Sequence, residues 1–213
     1  MERYTSVIAV FLKTDYLQWM APLPLCFVTS SKKKLAEFLH AVGDNTIAHV
    51  SMDLPELQGD PETVAREKAR AASRIYGGPV LVEDVSLCFN AYKGLPGVYV
   101  KSFLTAVGPS GLCNMLLPYE DKSAYVLCIY AFCDVTVDDK PVLFTGRADG
   151  RIVPPRGPQT FGWDCIFEPL EGGGKTYAEM EMVEKSAISH RGKALEKVKA
   201  FLTNLGVKVP CVK

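Results

Sequence analysis

The chain lacks an excess of either charge, because 24 Lys and Arg residues balance 24 Asp and Glu residues among its 213 residues. Nucleic-acid binding usually depends on excess positive charge, so the composition argues against it and confines any cationic patch to a local site. The sequence also lacks an apolar run of the roughly 18 residues that a membrane span needs. We therefore expect neither nucleic acid nor a membrane as a partner.

The seven cysteines are odd in number and form no CxxC pair. Neither a disulfide framework nor a zinc site is indicated by such a pattern. Most of these cysteines stand among apolar neighbours, which is typical of reduced core residues in a cytoplasmic protein.

Residues 1–23 are expected to form an extension ahead of the first core strand. Ser6–Leu12 is apolar, but Glu2 and Asp15 flank it and no small-residue cleavage site follows, so it makes a poor signal or transit peptide. With the boundary at Pro22 and Pro24, we predict an extension (1–23), one domain (24–207) and a short tail (208–213).

Apolar periodicity predicts alternating strands and helices along the domain. Predicted strands are Leu25–Thr29, Ile47–Met52, Val80–Val82, Tyr125–Thr136 and Pro141–Val153; predicted helices are Lys32–Val42, Pro61–Tyr76, Ser110–Leu117 and Ser189–Leu205. Asp138–Asp139 is expected at a hairpin turn between the last two strands. The alternation predicts an α/β fold, with helices packed on a mixed sheet.

Three lysines, Lys32, Lys33 and Lys34, open the first predicted helix. Cations at a helix N-terminus oppose the helix dipole, at a cost of about 0.3–1 kcal/mol each. Free N–H groups, capping hydroxyls and lysines together form an anion site, for which phosphate is the obvious ligand. A helical wheel turns Lys33 away from the apolar face, so Lys33 alone reads as a solvated charge.

Carboxylates supply the complementary chemistry. Glu83 and Asp84 follow an apolar strand and are predicted to mark its end, where ligands collect in open α/β sheets. Glu56 lies in an acidic loop, and oxygen ligands of this kind suit Mg²⁺, which takes one or two carboxylates plus substrate phosphates. EGGGKT imitates part of a P-loop, but Pro169 replaces a required glycine.

Two later segments carry aromatic and cationic residues. FGWD places Phe161 and Trp163 around a glycine, where they could stack on a base or pack in the core. EKSAISHRGKAL places His190 and Arg191 at the start of the last helix, with Ser189 as its cap.

Six segments, VTSSKKK, DLPELQG, LVEDVSLCFNAYKGLPGVYVKSFL, FGWDCIFEP, TYAEM and EKSAISHRGKAL, stand in the order and spacing of the inosine triphosphate pyrophosphatase family. The resemblance covers about Leu25 to Leu205. It implies an elongated mixed sheet flanked by helices, two lobes with a central nucleotide-binding cleft, and a homodimer. It also implies Mg²⁺-dependent hydrolysis of non-canonical purine nucleoside triphosphates to a monophosphate and pyrophosphate.

The resemblance further implies roles for matched residues. Asp84 and Lys34 would be catalytic, and Glu56 and Asp84 would hold the metal. The substrate would bind to Thr29, Ser30, Ser31, Lys32, Lys33, Lys34, Lys68, Asp84 and Lys101 at its phosphates, and to Phe161, Gly162, Trp163, Asp164, Lys185, His190 and Arg191 at its base.

The chain departs from the family pattern at two positions near the expected phosphates. Ser31 stands where the family commonly has Asn, and Val85 stands where Ser or Thr is usual. Two alternatives stay open: a related Maf-type nucleotide pyrophosphatase, against which FGWD and SHR speak, and a non-catalytic nucleotide sensor, against which Glu56, Asp84 and Lys34 speak.

Overall fold

The computed structural model describes residues 23–43, 47–159 and 162–206. Phe161 and most of the predicted extension lie outside these ranges. The helices are α1 (Lys32–Val42), α2 (Pro61–Tyr76), α3 (Val100–Met115), α4 (Met182–Ile188) and α5 (His190–Asn204), and the strands are β1 (Cys26–Val28), β2 (Ala48–Val50), β3 (Val80–Phe89), β4 (Pro96–Gly97), β5 (Ser123–Asp134), β6 (Asp138–Ile152) and β7 (Phe167–Pro169).

The seven strands form one mixed sheet in the order β2-β1-β3-β5-β6-β7, and β4 pairs with β3 beside that path. Strands β1, β2 and the start of β3 are parallel, whereas β3, β5 and β6 form a long antiparallel meander. The predicted α/β fold with helices on a mixed sheet is therefore confirmed. Within the described ranges, no helix is both long and apolar enough to cross a bilayer.

Local capping explains why α1 and α2 begin and end where the sequence predicts. Ser31 accepts a hydrogen bond from the backbone N–H of Lys34, and Asp60 accepts from the first turn of α2. Gly43 and Gly77 end the two helices in the left-handed conformation, which glycine adopts without a Cβ clash.

Three apolar clusters divide the molecule into two lobes. In one lobe, α1 and α5 cover one face of the sheet and α2 covers the other. In the second lobe, α3 and the segments around β7 pack on the far ends of β3, β5 and β6. The long strands run through both lobes and join them.

The structure corrects three predicted boundaries. Strand β3 continues to Phe89, so Glu83 and Asp84 lie in its middle rather than at its end. Helix α3 begins at Val100, not Ser110, with a break at Gly108 where φ is 67°. The hairpin turns over residues 135–137, and Asp138 already belongs to β6.

The short helix α4 was not predicted from the sequence. None of its side chains is fully buried, so the segment shows no apolar periodicity.

All cysteines within the described ranges are free, in agreement with the expected reduced state, and Cys211 lies outside these ranges.

Candidate active site

A gap in the sheet creates a cavity beside β3. On one side of β3, β1 pairs with Val80–Val82 and β4 pairs with Leu87–Cys88, and no strand of the described chain pairs with 83–86 on that side. A cavity of about 500 Å³ occupies this gap. The parallel ladder does end at Val82, so the acids follow its carboxyl end although the strand continues past them.

The gap explains how two consecutive residues line one cavity. Neighbouring side chains of a strand point to opposite faces of a sheet. Glu83 accordingly contacts α1 and α5 on one face, and Asp84 contacts α2 on the other. Both reach the cavity because the sheet is open between its faces at this point.

Most predicted site residues are brought together here. The cavity is lined by Thr29, Ser30, Ser31, Lys34, Glu56, Lys68, Asp84, Lys101, Gly162, Trp163, Asp164, His190 and Arg191. Lys32 and Lys33 are exposed and are not among the lining residues. Lys185 reaches the site indirectly, because its ammonium group donates to the Asp164 carboxylate.

Each predicted metal ligand is paired with a lysine predicted to bind phosphate. Asp84 Oδ1 lies 3.2 Å from Lys68 Nζ, which also donates to the carbonyl oxygen of Glu83 at 3.4 Å. Glu56 Oε1 lies 2.6 Å from Lys101 Nζ across the cavity mouth. Hydrogen bonding and charge from Lys101 lower the pKa of Glu56, and Glu56 in turn raises the pKa of Lys101.

A buried ionic cluster lies behind the paired groups. The Glu83 side chain is fully buried, and its Oε1 accepts from Arg191 Nε at 3.1 Å and Nη2 at 2.9 Å. Arg191 Nη1 donates to Glu37 Oε2 at 2.7 Å. Burial alone would raise the pKa of Glu83, but the charges of Arg191 and Lys34 outweigh it and lower this pKa to about 2.

The aromatic part of the site is largely core. Trp163 packs against Phe167, Tyr177 and His190. The His190 ring stacks on Tyr177, and neither of its nitrogens has a hydrogen-bond partner among the residues that the structure describes. Burial, together with the charges of Arg191 and Lys185, holds the pKa of His190 well below its usual value, so the ring is neutral.

Sequence reasoning missed one functional-site residue, Glu37, and left another, Glu83, without a role of its own. It noticed Glu83 but could not separate its role from that of Asp84, because only the folded sheet assigns them to opposite faces. Glu37 lies in the predicted helix Lys32–Val42 and nothing marks it as a site residue except its position directly before the buried Phe38.

The chain also resembles known proteins. A model described as the Ham1 family matches residues 25–201. Two curated relatives carry the name inosine triphosphate pyrophosphatase. The one from Giardia intestinalis is 98% identical and covers 91% of this chain and 100% of its own length. The one from Tuber melanosporum is 52% identical and covers 85% of this chain and 97% of its own length.

Solved structures agree with the fold. A HAM1 protein from Coxiella burnetii superposes with a TM-score of 0.76 at 30% identity, covering 85% of this chain and 99% of that one. The Ham1 protein of Staphylococcus aureus superposes with a TM-score of 0.72 at 24% identity, over the same shares of the two chains. By its sequence match and its architecture, the chain belongs to the Ham1 family.

Proposed function

We propose that this protein hydrolyses non-canonical purine nucleoside triphosphates, namely the inosine, deoxyinosine and xanthosine triphosphates, to the monophosphate and pyrophosphate. The observation that carries the proposal is the alternation of lysines and carboxylates along one cavity. In a metal triphosphate, the metal ion can bind the two carboxylates and the phosphates can bind the two lysines. The substrate can therefore replace the Lys68–Asp84 and Lys101–Glu56 ion pairs with ion pairs of its own. The names of the curated relatives support the same substrate class.

Mg²⁺ fits the side chains of the cavity. Within the described ranges no group of three or more metal-ligating side chains occurs, so Glu56 and Asp84 would supply two carboxylates, and phosphate and water would supply the remaining ligands. Mg²⁺ in proteins is usually bound in this way, by one or two carboxylates together with substrate phosphates and water. When bound, the ion neutralises charge on the phosphates, which is the main requirement of phosphoryl transfer.

The phosphates bind where β1 enters α1. The hydroxyl groups of Thr29, Ser30 and Ser31 line the cavity there, and Lys34 faces it from the first turn of the helix. Lys68 and Lys101 add charge from α2 and α3. The three lysines at the helix start are therefore unequal: Lys34 belongs to the cavity, whereas Lys32 and Lys33 are exposed.

The base lies towards Trp163, Asp164, His190 and Arg191. Hypoxanthine and xanthine carry a keto oxygen at position 6, whereas adenine carries an amino group there. Arg191 can only donate hydrogen bonds, so it can pair with the keto oxygen. Against adenine, the guanidinium N–H groups would face the N–H groups of the 6-amino group, and no hydrogen bond could form. Phe161, outside the described ranges, is proposed to stack on the base.

The deciding assay measures pyrophosphate release from inosine, xanthosine, guanosine and adenosine triphosphates with Mg²⁺. Turnover of the first two, its loss on chelation, and weak turnover of adenosine triphosphate are expected. Binding without turnover would leave a nucleotide sensor, and preference for other modified nucleotides would leave a Maf-type enzyme. If Arg191→Ala keeps the full preference for inosine over adenosine triphosphate, Arg191 does not read position 6.

We also propose a homodimer in the cytoplasm. Phe103 and Val107 are exposed and stand one turn apart on α3, which places two apolar side chains on one surface. The free cysteines favour a reducing compartment. Sedimentation of the full chain at micromolar concentration tests the dimer, and a single species of about 23 kDa would refute it.

A further inference from the structure

One oxygen atom of Glu83 joins the phosphate side of the cavity to the base side. Its Oε1 lies 3.5 Å from Lys34 Nζ and 2.9 Å from Arg191 Nη2. Under the proposed function, on which this inference rests, Lys34 serves the phosphates and Arg191 serves the base. The same carboxylate therefore contacts a cation from each set.

Two further groups contact the Glu83 carboxylate, one at each oxygen. Tyr130 donates its hydroxyl to Oε2 at 3.2 Å, and the Cys128 thiol lies 3.6 Å from Oε1. The Glu83 side chain is fully buried and its strand is paired with β5 along its whole length. The sheet thus fixes the backbone position of Glu83, and the charged ends of Lys34 and Arg191 lie against its carboxylate.

Both oxygens of the Glu83 carboxylate are engaged by the protein. Arg191 and Lys34 lie beside Oε1, and the Tyr130 hydroxyl donates to Oε2. The contacts therefore leave Glu83 a positional role and an electrostatic one, both exerted through its neighbours.

We propose that Glu83 is a positioning residue with two effects: it fixes the Arg191 guanidinium for base selection, and it offsets the charge of Lys34 so that polyphosphate is not held too tightly. Arg191 is held along its Nε–Nη2 edge by Glu83 and at Nη1 by Glu37. Lys34 lies beside the Glu83 carboxylate while facing the cavity. The two effects predict changes in opposite directions when the charge is removed.

Glu83→Gln tests this with two measurements. Selectivity for inosine over adenosine triphosphate should fall about tenfold or more, because Arg191 loses a charge-assisted anchor. Magnesium pyrophosphate, titrated calorimetrically, should bind about threefold to tenfold more tightly, because an anion beside Lys34 has gone. General damage to the site would weaken both, so tighter pyrophosphate binding separates positioning from a merely structural role.

Glu37→Gln is the matched control, since Glu37 contacts Arg191 and shows no ion pair with Lys34. It should lower base selectivity and leave pyrophosphate affinity unchanged. If Glu83→Gln fails to fold, Glu83→Asp keeps the charge but withdraws the oxygen from both cations. Its selectivity should fall as in Glu83→Gln, while pyrophosphate should bind more tightly by a smaller factor.

The outcomes are distinguishable. Unaltered selectivity, or weaker pyrophosphate binding in folded Glu83→Gln, overturns the inference. A wild-type chain that binds pyrophosphate but does not hydrolyse inosine triphosphate instead overturns the proposed function.

Discussion

Side-chain surroundings, rather than residue type, separate the roles of the charged groups in the cavity. Lys33 and Lys34 are adjacent and identical, yet Lys33 is exposed and Lys34 lies 3.5 Å from a buried carboxylate. Glu83 and Asp84 are also adjacent, yet one is fully buried and the other retains about a fifth of its side chain exposed. Substitutions at such neighbours should therefore have very different results.

Asp84→Asn should nearly abolish turnover while leaving the chain folded. The amide keeps the shape of the carboxylate but removes the charge proposed to hold the metal, and it weakens the pair with Lys68. Steady-state rates at saturating Mg²⁺, with circular dichroism as the folding control, check this. Near-normal rates would remove Asp84 from the mechanism.

Lys34→Ala should raise the KM for inosine triphosphate far more than Lys33→Ala. Of these two lysines only Lys34 lines the cavity. A charge-assisted hydrogen bond to phosphate contributes about 1.5–3 kcal/mol, or about one to two orders of magnitude in binding. The two variants serve as each other's control because both remove one positive charge from the same helical turn. Equal effects would mean that long-range charge matters and contact does not.

His190 should make the fold less stable below pH 6.5. Burial and nearby positive charge keep its folded-state pKa well below the unfolded value, so only the unfolded chain gains a proton as the pH falls. At pH 5.5 this costs on the order of 1 kcal/mol of unfolding free energy, because pH 5.5 lies about one unit below the pKa of an unfolded histidine. Urea unfolding at pH 7.5 and 5.5 should show that extra loss in the wild type, and lack it in His190→Phe; a parallel loss in both would contradict the assignment.

At the scale of elements, the junction of α4 and α5 places the base-side residues. Ser189 caps α5 by accepting from the Gly192 backbone N–H at 3.0 Å. A Cβ on Gly192 would lie 1.8 Å from the Ser186 carbonyl oxygen, so only glycine allows the two helices to meet there. The positions of His190 and Arg191, the two residues before Gly192, are therefore set by that contact.

Gly192→Ala should consequently displace the start of α5. We expect a loss of about 1–3 kcal/mol in stability, typical of an overpacked contact, and a fall in kcat/KM larger than this stability loss would explain. Glu196→Ala, on the exposed side of the same helix, is the control and should change neither quantity appreciably. Thermal melts and kinetics on the two variants decide the matter.

Elements fixed by neighbouring residues were predictable from sequence, and elements fixed by distant ones were not. Helices α1 and α2 were located to the residue because Ser31, Asp60 and the two terminal glycines act within one turn. The predicted length of β3 was wrong because Glu83 is tolerated in the middle of the strand through partners distant in sequence, such as Arg191, which is 108 residues away. Family resemblance assembled the candidate site, but the buried link through Glu37 depends on three-dimensional packing alone.

At the scale of the whole molecule, three long strands run through both lobes. Strands β3, β5 and β6 contribute to apolar clusters in each lobe. Neither lobe can therefore unfold without exposing the apolar core of the other. We expect one cooperative unfolding transition.

Two probes check this cooperativity. In a Trp19→Phe background, Trp163 fluorescence reports the lobe around α3, while far-ultraviolet circular dichroism follows the helices of both lobes. Coincident midpoints in urea support a single transition. Separate midpoints would show that the lobes unfold independently.

The gap beside β3 has a consequence for isotope exchange. The Glu83 carbonyl faces the gap, where Lys68 donates to it, and the Phe89 N–H faces the same side, where it donates to Leu95. Backbone groups alternate along a strand, so the amide protons of Glu83 and Val85 point into the cavity, while those of Asp84 and Ser86 point to β5. Deuterium should therefore enter every second amide of this short stretch, and a bound nucleotide should slow that entry, so that the strand itself records occupancy of the site.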